Sequence, residues 1–225
     1  MNFLDKSWCF IFDMDGLMLD SERITNRAWI QAAADLGYTL TEDILIQSVG
    51  CSTAQFEKTQ KKYLGEDYPF DKAWDLKNIH FEEFIEAAGI PLKDGLLPLL
   101  DLLEQRGIRK AVASSTKNPQ VEKRLKRVGL FDRFEVVVDG SLVTNAKPAP
   151  DLFLETAKRL NADPHTCLVL EDSPYGVQAA SVAGMPVILV PDLLAPSEDT
   201  RSLTMGVFDS LEQVRLYLLD NENQI

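Results

Sequence analysis

The stretch WCFIFDMDGLMLD, residues 8 to 20, sets Asp13, Asp15 and Asp20 into or beside an otherwise apolar run. Ionised carboxylates are costly to desolvate, so those set among Phe10, Ile11, Phe12, Leu17 and Leu19 need a cation, hydrogen bonds or a turn that keeps them wet. Asp15-Gly16 between apolar arms is a hairpin signal, and the stretch alone leaves that reading open. The neighbouring residues weaken it. The second arm would be only Leu17-Met18-Leu19, and SERITNRAWIQAAADLG (21–37) then runs at helical rather than strand spacing. A calcium loop is weaker still, because the DxDxDG spacing is absent and a strand comes first.

Outward from this run, further short apolar stretches read as buried strands. KAVAS (110–114), CLVLE (167–171) and PVILV (186–190) join WCFIF (8–12), all continuous rather than alternating, as when both faces of a parallel sheet are covered. FEVVVD (134–139) is a fifth and MGVFD (205–209) a candidate sixth. Between them lie helical patterns over 95–107, 118–129, 151–161 and 174–184, three ending at Gly and one at Asn, the usual helix stops. Strand–helix alternation predicts an α/β fold with an open, doubly wound parallel sheet. The segment from about Ser21 to Leu92 differs, holding helical patterns over 23–37, 53–65 and 73–89 and no convincing strand. It reads as an α-helical cap (17–92) inserted into an α/β core formed by 1–16 and 93–225. Such a cap would lie above the carboxyl ends of the strands, where open α/β sheets bind ligands.

Composition narrows the function classes. The 225 residues carry a net charge of −12 and no basic patch, which argues against nucleic acid or anionic membrane as a partner. Residues 173–191 carry no charge, but Pro174, Gly176, Gln178, Gly184 and Pro186 break them into a helix and a short strand rather than a membrane span. Cys9, Cys51 and Cys167 are odd in number and widely spaced, the pattern of reduced thiols, with Cys9 and Cys167 in core strands. With no signal-peptide pattern at the N-terminus, the expected location is cytoplasmic.

Polar clusters sit just past four of the strand candidates: Asp13 and Asp15, then Ser114-Ser115-Thr116, then Lys147 within NAKPAPD, then Glu171-Asp172. If the strands are parallel neighbours, all four meet at one sheet edge. Each also has a plain alternative. Ser114 and Thr116 read equally as caps of the following helix, Lys147 as a solvated loop lysine, and Asp172-Ser173-Pro174 as a helix start.

This order resembles that of the haloacid dehalogenase-like hydrolase superfamily over nearly the whole chain. FDMDGLMLDSE resembles its first motif, VASST the second, AKPAPD the third and LEDSPYGVQAA the fourth, and the inserted helices resemble the cap of the β-phosphoglucomutase-like branch. The resemblance implies that Asp13 is the nucleophile, forming an aspartyl-phosphate, and that Asp15 protonates the leaving oxygen and later takes a proton from water. It implies Mg²⁺ held by Asp13, the backbone carbonyl of Asp15 and Asp172. Glu171 would hold a metal-bound water or orient Asp172, with direct ligation left open. Ser114 and the backbone N–H groups that follow it, from Ser115 on, would cradle the phosphoryl oxygens. Lys147 would neutralise Asp13 and the transferring group, and Gly16 would permit the tight backbone leaving the site.

An acid two positions after the nucleophile favours phosphoryl transfer over dehalogenation. His80 and His165 lie in no motif and read as surface or structural. In β-phosphoglucomutases an arginine follows the first Gly-containing turn of the cap; the matching turn here is Gly50-Cys51-Ser52, and Thr53 stands in its place. Lys77 is a candidate replacement cation, against the reading of a solvated helix lysine. Glu22 is a candidate at the site entrance, against that of a helix N-terminal charge. The resulting expectation is a Mg²⁺-dependent phosphatase of a small phosphate ester, a sugar phosphate or nucleoside monophosphate. A phosphosugar mutase and a non-catalytic binding protein are the alternatives. A cap that opens and closes leads to the expectation of a monomer.

Overall fold

The computed structural model describes residues 2–48 and 53–222. Its centre is a six-stranded, all-parallel sheet of β1 (Cys9–Phe12), β2 (Arg109–Ser114), β3 (Val136–Asp139), β4 (Cys167–Glu171), β5 (Val187–Leu189) and β6 (Gly206–Val207). They lie in the order β3-β2-β1-β4-β5-β6. β1 is therefore central, Phe12 facing Val112 on one side and Leu170 on the other. This register brings the residues after β1, β2 and β4 to one rim.

Helices α5 (Leu96–Arg106), α6 (Gln120–Arg127), α7 (Asp151–Leu160) and α8 (Pro174–Val182) fall where the sequence places them. The stops act as expected: Gly107 and Asn161 take the left-handed conformation just past α5 and α7. Both sheet faces are covered, which is why the strands are continuously apolar. Cys9, Ile11, Ala113, Cys167 and Val169 pack with Leu152, Phe153 and Ala157 of α7 and Val177 and Ala180 of α8. In the opposite row Phe10 lies in register with Lys110, whose ammonium reaches Glu104 of α5 at 3.1 Å.

β4 matches its apolar run and β2 starts one residue before its own, whereas β1, β3, β5 and β6 are shorter than theirs. Pro186 has no N–H for a ladder, although its carbonyl accepts from Val169, and Phe134 follows a 3₁₀ turn at Phe131–Arg133. Two helices in this part of the chain have no counterpart in the sequence reading, α9 (Glu198–Ser202) and α10 (Leu211–Glu222). α10 buries only Leu211, Val214 and Leu218, a thin stripe packed on α5.

The chain divides into two compact units, one up to Leu19 and from Leu92 onward, the other Asp20–Pro91. The second unit consists of α1 (Glu22–Asp35), the unexpected short α2 (Glu42–Ile46), α3 (Thr53–Leu64) and α4 (Phe70–Ala88). α1 packs along α4. Their core gathers Trp29, Ala33, Leu40, Leu45, Tyr68, Phe70 and Ala73, with Trp29 stacked on Phe70 at 5.6 Å between ring centres. At the boundary Leu19 pairs antiparallel with Leu92, Asp20 N–H donates to Pro91 at 2.9 Å, and Lys93 N–H donates to Met18 at 3.0 Å. Asp15-Gly16 is thus not a hairpin back onto β1: the backbone turns within Met14–Leu19 and runs on to α1.

Candidate active site

Asp13 directly follows β1, and its N–H extends the ladder to the carbonyl of Leu170 at 3.0 Å. Its side chain is nearly buried, and one oxygen meets Lys147 Nζ at 2.5 Å. The same ammonium lies 2.5 Å from Glu171 Oε1 and 4.9 Å from the centre of the Phe153 ring. The Lys147 side chain is 8% exposed, so the solvated-loop reading is wrong: the loop between β3 and α7 carries it inward to two carboxylates. Burial works against its charge, but Asp13 and Glu171 outweigh burial and hold the ammonium above the usual lysine range. Burial pushes the Asp13 carboxyl up to about 7. Lys147 pulls against that rise, and the Glu171 and Asp15 charges add to it.

Glu171 ends β4 and is wholly buried. Its second oxygen accepts from the backbone N–H of Asp172 at 2.8 Å, that of Ser173 at 2.9 Å and the Ser173 hydroxyl at 3.0 Å. The Ser173 hydroxyl also accepts from Gly176 N–H at 3.1 Å with Pro174 at the first helical position, so the helix-start reading of this segment holds as well. One run of sequence caps α8 and seats Glu171. A Cβ on Gly176 would fall 1.7 Å from Glu171 Oε1, which leaves room only for glycine.

Gly16 makes the corresponding space for Asp172. Its φ is +88°, and a Cβ there would lie 2.2 Å from Asp172 Oδ2. Among the described residues, Asp13, Glu171 and Asp172 each offer an oxygen within 4.8 Å of the others'. Clustered hard oxygen donors suit Mg²⁺, which binds through few carboxylates.

Asp15 is held by two further donors. Thr116 Oγ1 donates to its Oδ2 at 2.8 Å and Arg124 NH1 to its Oδ1 at 2.8 Å. Neither Ser114 nor Thr116 caps α6, contrary to the alternative raised by the sequence. The helix starts after Pro119, which makes no side-chain cap bond, while the Ser114 hydroxyl accepts from Thr116 N–H at 3.1 Å. Ser114 is buried and Ser115 is exposed. A Cβ on Gly140 would meet the Ser115 carbonyl at 2.3 Å, so the loops after β2 and β3 touch there. Asp139, at the end of β3, locks them: it accepts from Asn118 N–H at 3.2 Å, the Asn118 amide at 2.8 Å and Ser141 N–H at 2.8 Å.

The structure therefore brings Asp13, Gly16, Lys147, Glu171 and Asp172 together, with Asp15 joined to Thr116 and through it to Ser114. Glu22 is the first residue of α1 in the second unit. Lys77, on α4, donates to Asn78 at 2.8 Å and lies over the rings of Trp74 and Trp29 at 4.8 and 5.6 Å. Of the turn compared with the mutases, Gly50, Cys51 and Ser52 lie outside the described residues, and Thr53 opens α3. Both histidines make local bonds, His80 to Asp35 and Glu83 and His165 to the carbonyl of Gly184. Sequence reasoning missed Arg124 and Asp139. Asp139 gave a signal, since it ends an apolar strand as Asp13 does; Arg124, within a basic helix, gave none.

Residues 9–184 match the family model of the haloacid dehalogenase-like hydrolases. The chain is 35% identical over 202 residues to a Drosophila melanogaster protein provisionally described as a pseudouridine-5′-phosphatase, covering 86% of each. It is 31% identical over 191 residues to the chloroplastic protein Suppressor of Quenching 1 of Arabidopsis thaliana, using 82% of this chain but only 18% of that protein's length. Among solved structures, a Thermotoga maritima protein provisionally described as a β-phosphoglucomutase superposes with a TM-score of 0.80 at 26% identity, covering 95% of this chain and 99% of the other. The parallel sheet with its rim of carboxylates and lysine, and the family match over most of the sequence, lead to one assignment: the chain belongs to the haloacid dehalogenase-like hydrolases.

Proposed function

We propose that the protein is a Mg²⁺-dependent phosphatase of small phosphorylated metabolites, a sugar phosphate or a nucleoside monophosphate, working through an aspartyl-phosphate. The observation that carries this reading is Lys147, buried and bridging Asp13 and Glu171 beside Asp172. Asp13 attacks phosphorus as its ester P–O bond breaks, and Asp15 gives a proton to the departing oxygen. Water then attacks the phosphoryl group, Asp15 takes back a proton, and phosphate leaves with Asp13 restored. Asp13, the carbonyl of Asp15 and Asp172 would hold the metal. Bound there, Mg²⁺ would supply positive charge for the phosphoryl oxygens. Both oxygens of Glu171 already accept from protein donors, which supports a role in orienting Lys147 and the start of α8 rather than in ligation. Ser114 and the N–H groups after it receive the phosphoryl oxygens.

The anionic substrate and the net charge of −12 are compatible because Lys147 and the metal act locally. Residues 20–91, with a hydrophobic core of their own, are the proposed source of substrate selection. We place the protein in the cytoplasm, supported by the unpaired thiols of Cys9 and Cys167, and propose that it acts as a monomer, as a cap that opens and closes would require; no described helix is long and apolar enough to cross a membrane.

The test is phosphate release from a panel of sugar phosphates and nucleoside monophosphates with Mg²⁺ and then with chelator. Release that stops with chelator and in Asp13→Asn is the expected result. Isomerised phosphosugars without inorganic phosphate would replace the hydrolase with a mutase, and ligand binding without turnover would leave a binding protein.

A further inference from the structure

The geometry points to Arg124 as the positioning residue for Asp15, an inference that rests on the phosphatase reading above. Asp15 lies three residues past Phe12, the end of β1, and directly before a glycine at φ +88°, with its backbone bridged to Leu19; its carboxyl has still to be aimed. The fixing comes from another part of the chain. Arg124, on α6, donates to one oxygen and Thr116, in the loop before α6, to the other. The Arg124 and Asp15 side chains are 14% and 18% exposed, so the pair is shielded beyond an ordinary surface ion pair. A charge-assisted bond from a planar guanidinium fixes direction as well as distance. α6 is held in turn, because the loop leading into it is bonded to the buried Asp139 through Asn118. Asp139 thus anchors the loop that leads into α6, the helix that carries Arg124 to the carboxyl that must meet first the leaving oxygen and then water. A misplacement of about 1 Å in such a group costs on the order of 10²-fold in rate.

Leaving groups of different basicity separate positioning from general structural support. An alkoxide needs a proton as it departs; 4-nitrophenolate hardly does. Arg124→Met is expected to lower kcat/KM for alkyl and sugar phosphates by roughly tenfold or more, within the 10²–10⁴-fold that general acid–base catalysis supplies, and to leave 4-nitrophenyl phosphate far less affected. Arg124→Lys, which keeps the charge without the planar guanidinium, should fall between wild type and Arg124→Met. Asp15→Asn should show the same leaving-group pattern more strongly, and adding Arg124→Met to it should cost nothing further. Should the methionine variant unfold, Arg124→Gln and Arg124→Lys carry the same comparison.

An equal loss on both ester classes, or full additivity with Asp15→Asn, overturns the role of Arg124. If Asp15→Asn shows the leaving-group pattern and the Arg124 variants do not, this inference alone fails. If Asp15→Asn itself loses equally on both classes, the acid–base reading of Asp15 fails and takes the inference with it.

Discussion

Gly16 shows how narrowly one residue is constrained at the rim. An alanine there would occupy a left-handed conformation that side chains rarely adopt, and its methyl would overlap Asp172 Oδ2. Gly16→Ala is expected to destabilise the fold by at least about 1 kcal/mol, read by urea denaturation. By displacing Asp172, it should also raise the Mg²⁺ concentration needed for half-maximal phosphate release. Most of this site was legible in the sequence, because Asp13, Lys147, Glu171 and Asp172 are polar residues at or beyond strand ends, where an apolar core gives way abruptly. Arg124 was not legible. In QVEKRLKR it is one cation among several, and only the tertiary path of α6 distinguishes it from its more exposed neighbours.

The helices test how packing supports this chemistry. On α7 the adjacent Phe153 and Leu154 face opposite ways, Phe153 buried in the sheet core and under the Lys147 ammonium, Leu154 40% exposed. Phe153→Ala is expected to cost about 3–5 kcal/mol, whereas Leu154→Ala should stay within about 0.5 kcal/mol of wild type; equilibrium unfolding in urea measures both. Between α1 and α4, His80 reaches Asp35 at 2.7 Å and Glu83 at 3.0 Å. Burial lowers its pKa, but the two carboxylates more than offset that and hold it above its ordinary value. A raised folded-state pKa means that its contribution to stability is fully present below about 6.5, the unfolded value, and is lost as pH rises through the folded one. The melting-temperature gap between wild type and His80→Gln should therefore be widest in mild acid and shrink in mild base. With only two histidines in the chain, proton NMR can follow the titration directly. At this scale the sequence was uneven. α5 to α8 were plain from their apolar spacing and stop residues. α10 was hidden because three buried side chains in twelve residues leave little periodic contrast, and α2 and α9, at five residues each, are too short to show a period.

Across the whole molecule, the proposed metal ligands Asp13 and Asp172 share one prediction. A ligand that binds only the folded state stabilises it by mass action, by about 2.7 kcal/mol at a hundred times its dissociation constant. Mg²⁺ should accordingly raise the melting temperature of the wild type, while Asp172→Asn should melt at nearly the same temperature with or without the ion; differential scanning fluorimetry is sufficient. The overall architecture was the most legible level, since continuous apolar strands alternating with helices admit few arrangements other than a covered parallel sheet. The spatial order β3-β2-β1-β4-β5-β6 was not written in any one strand and emerged only from pairing.

The chain leaves at Leu19 and re-enters at Leu92 as adjacent, paired residues, with Asp20 and Pro91 a single hydrogen bond apart. Some seventy intervening residues thus begin and end at nearly one point, where exchange of a whole segment is tolerated best. A two- or three-residue splice could join those ends, and any foreign module whose termini lie equally close could be grafted at the same junction without disturbing the order of the strands.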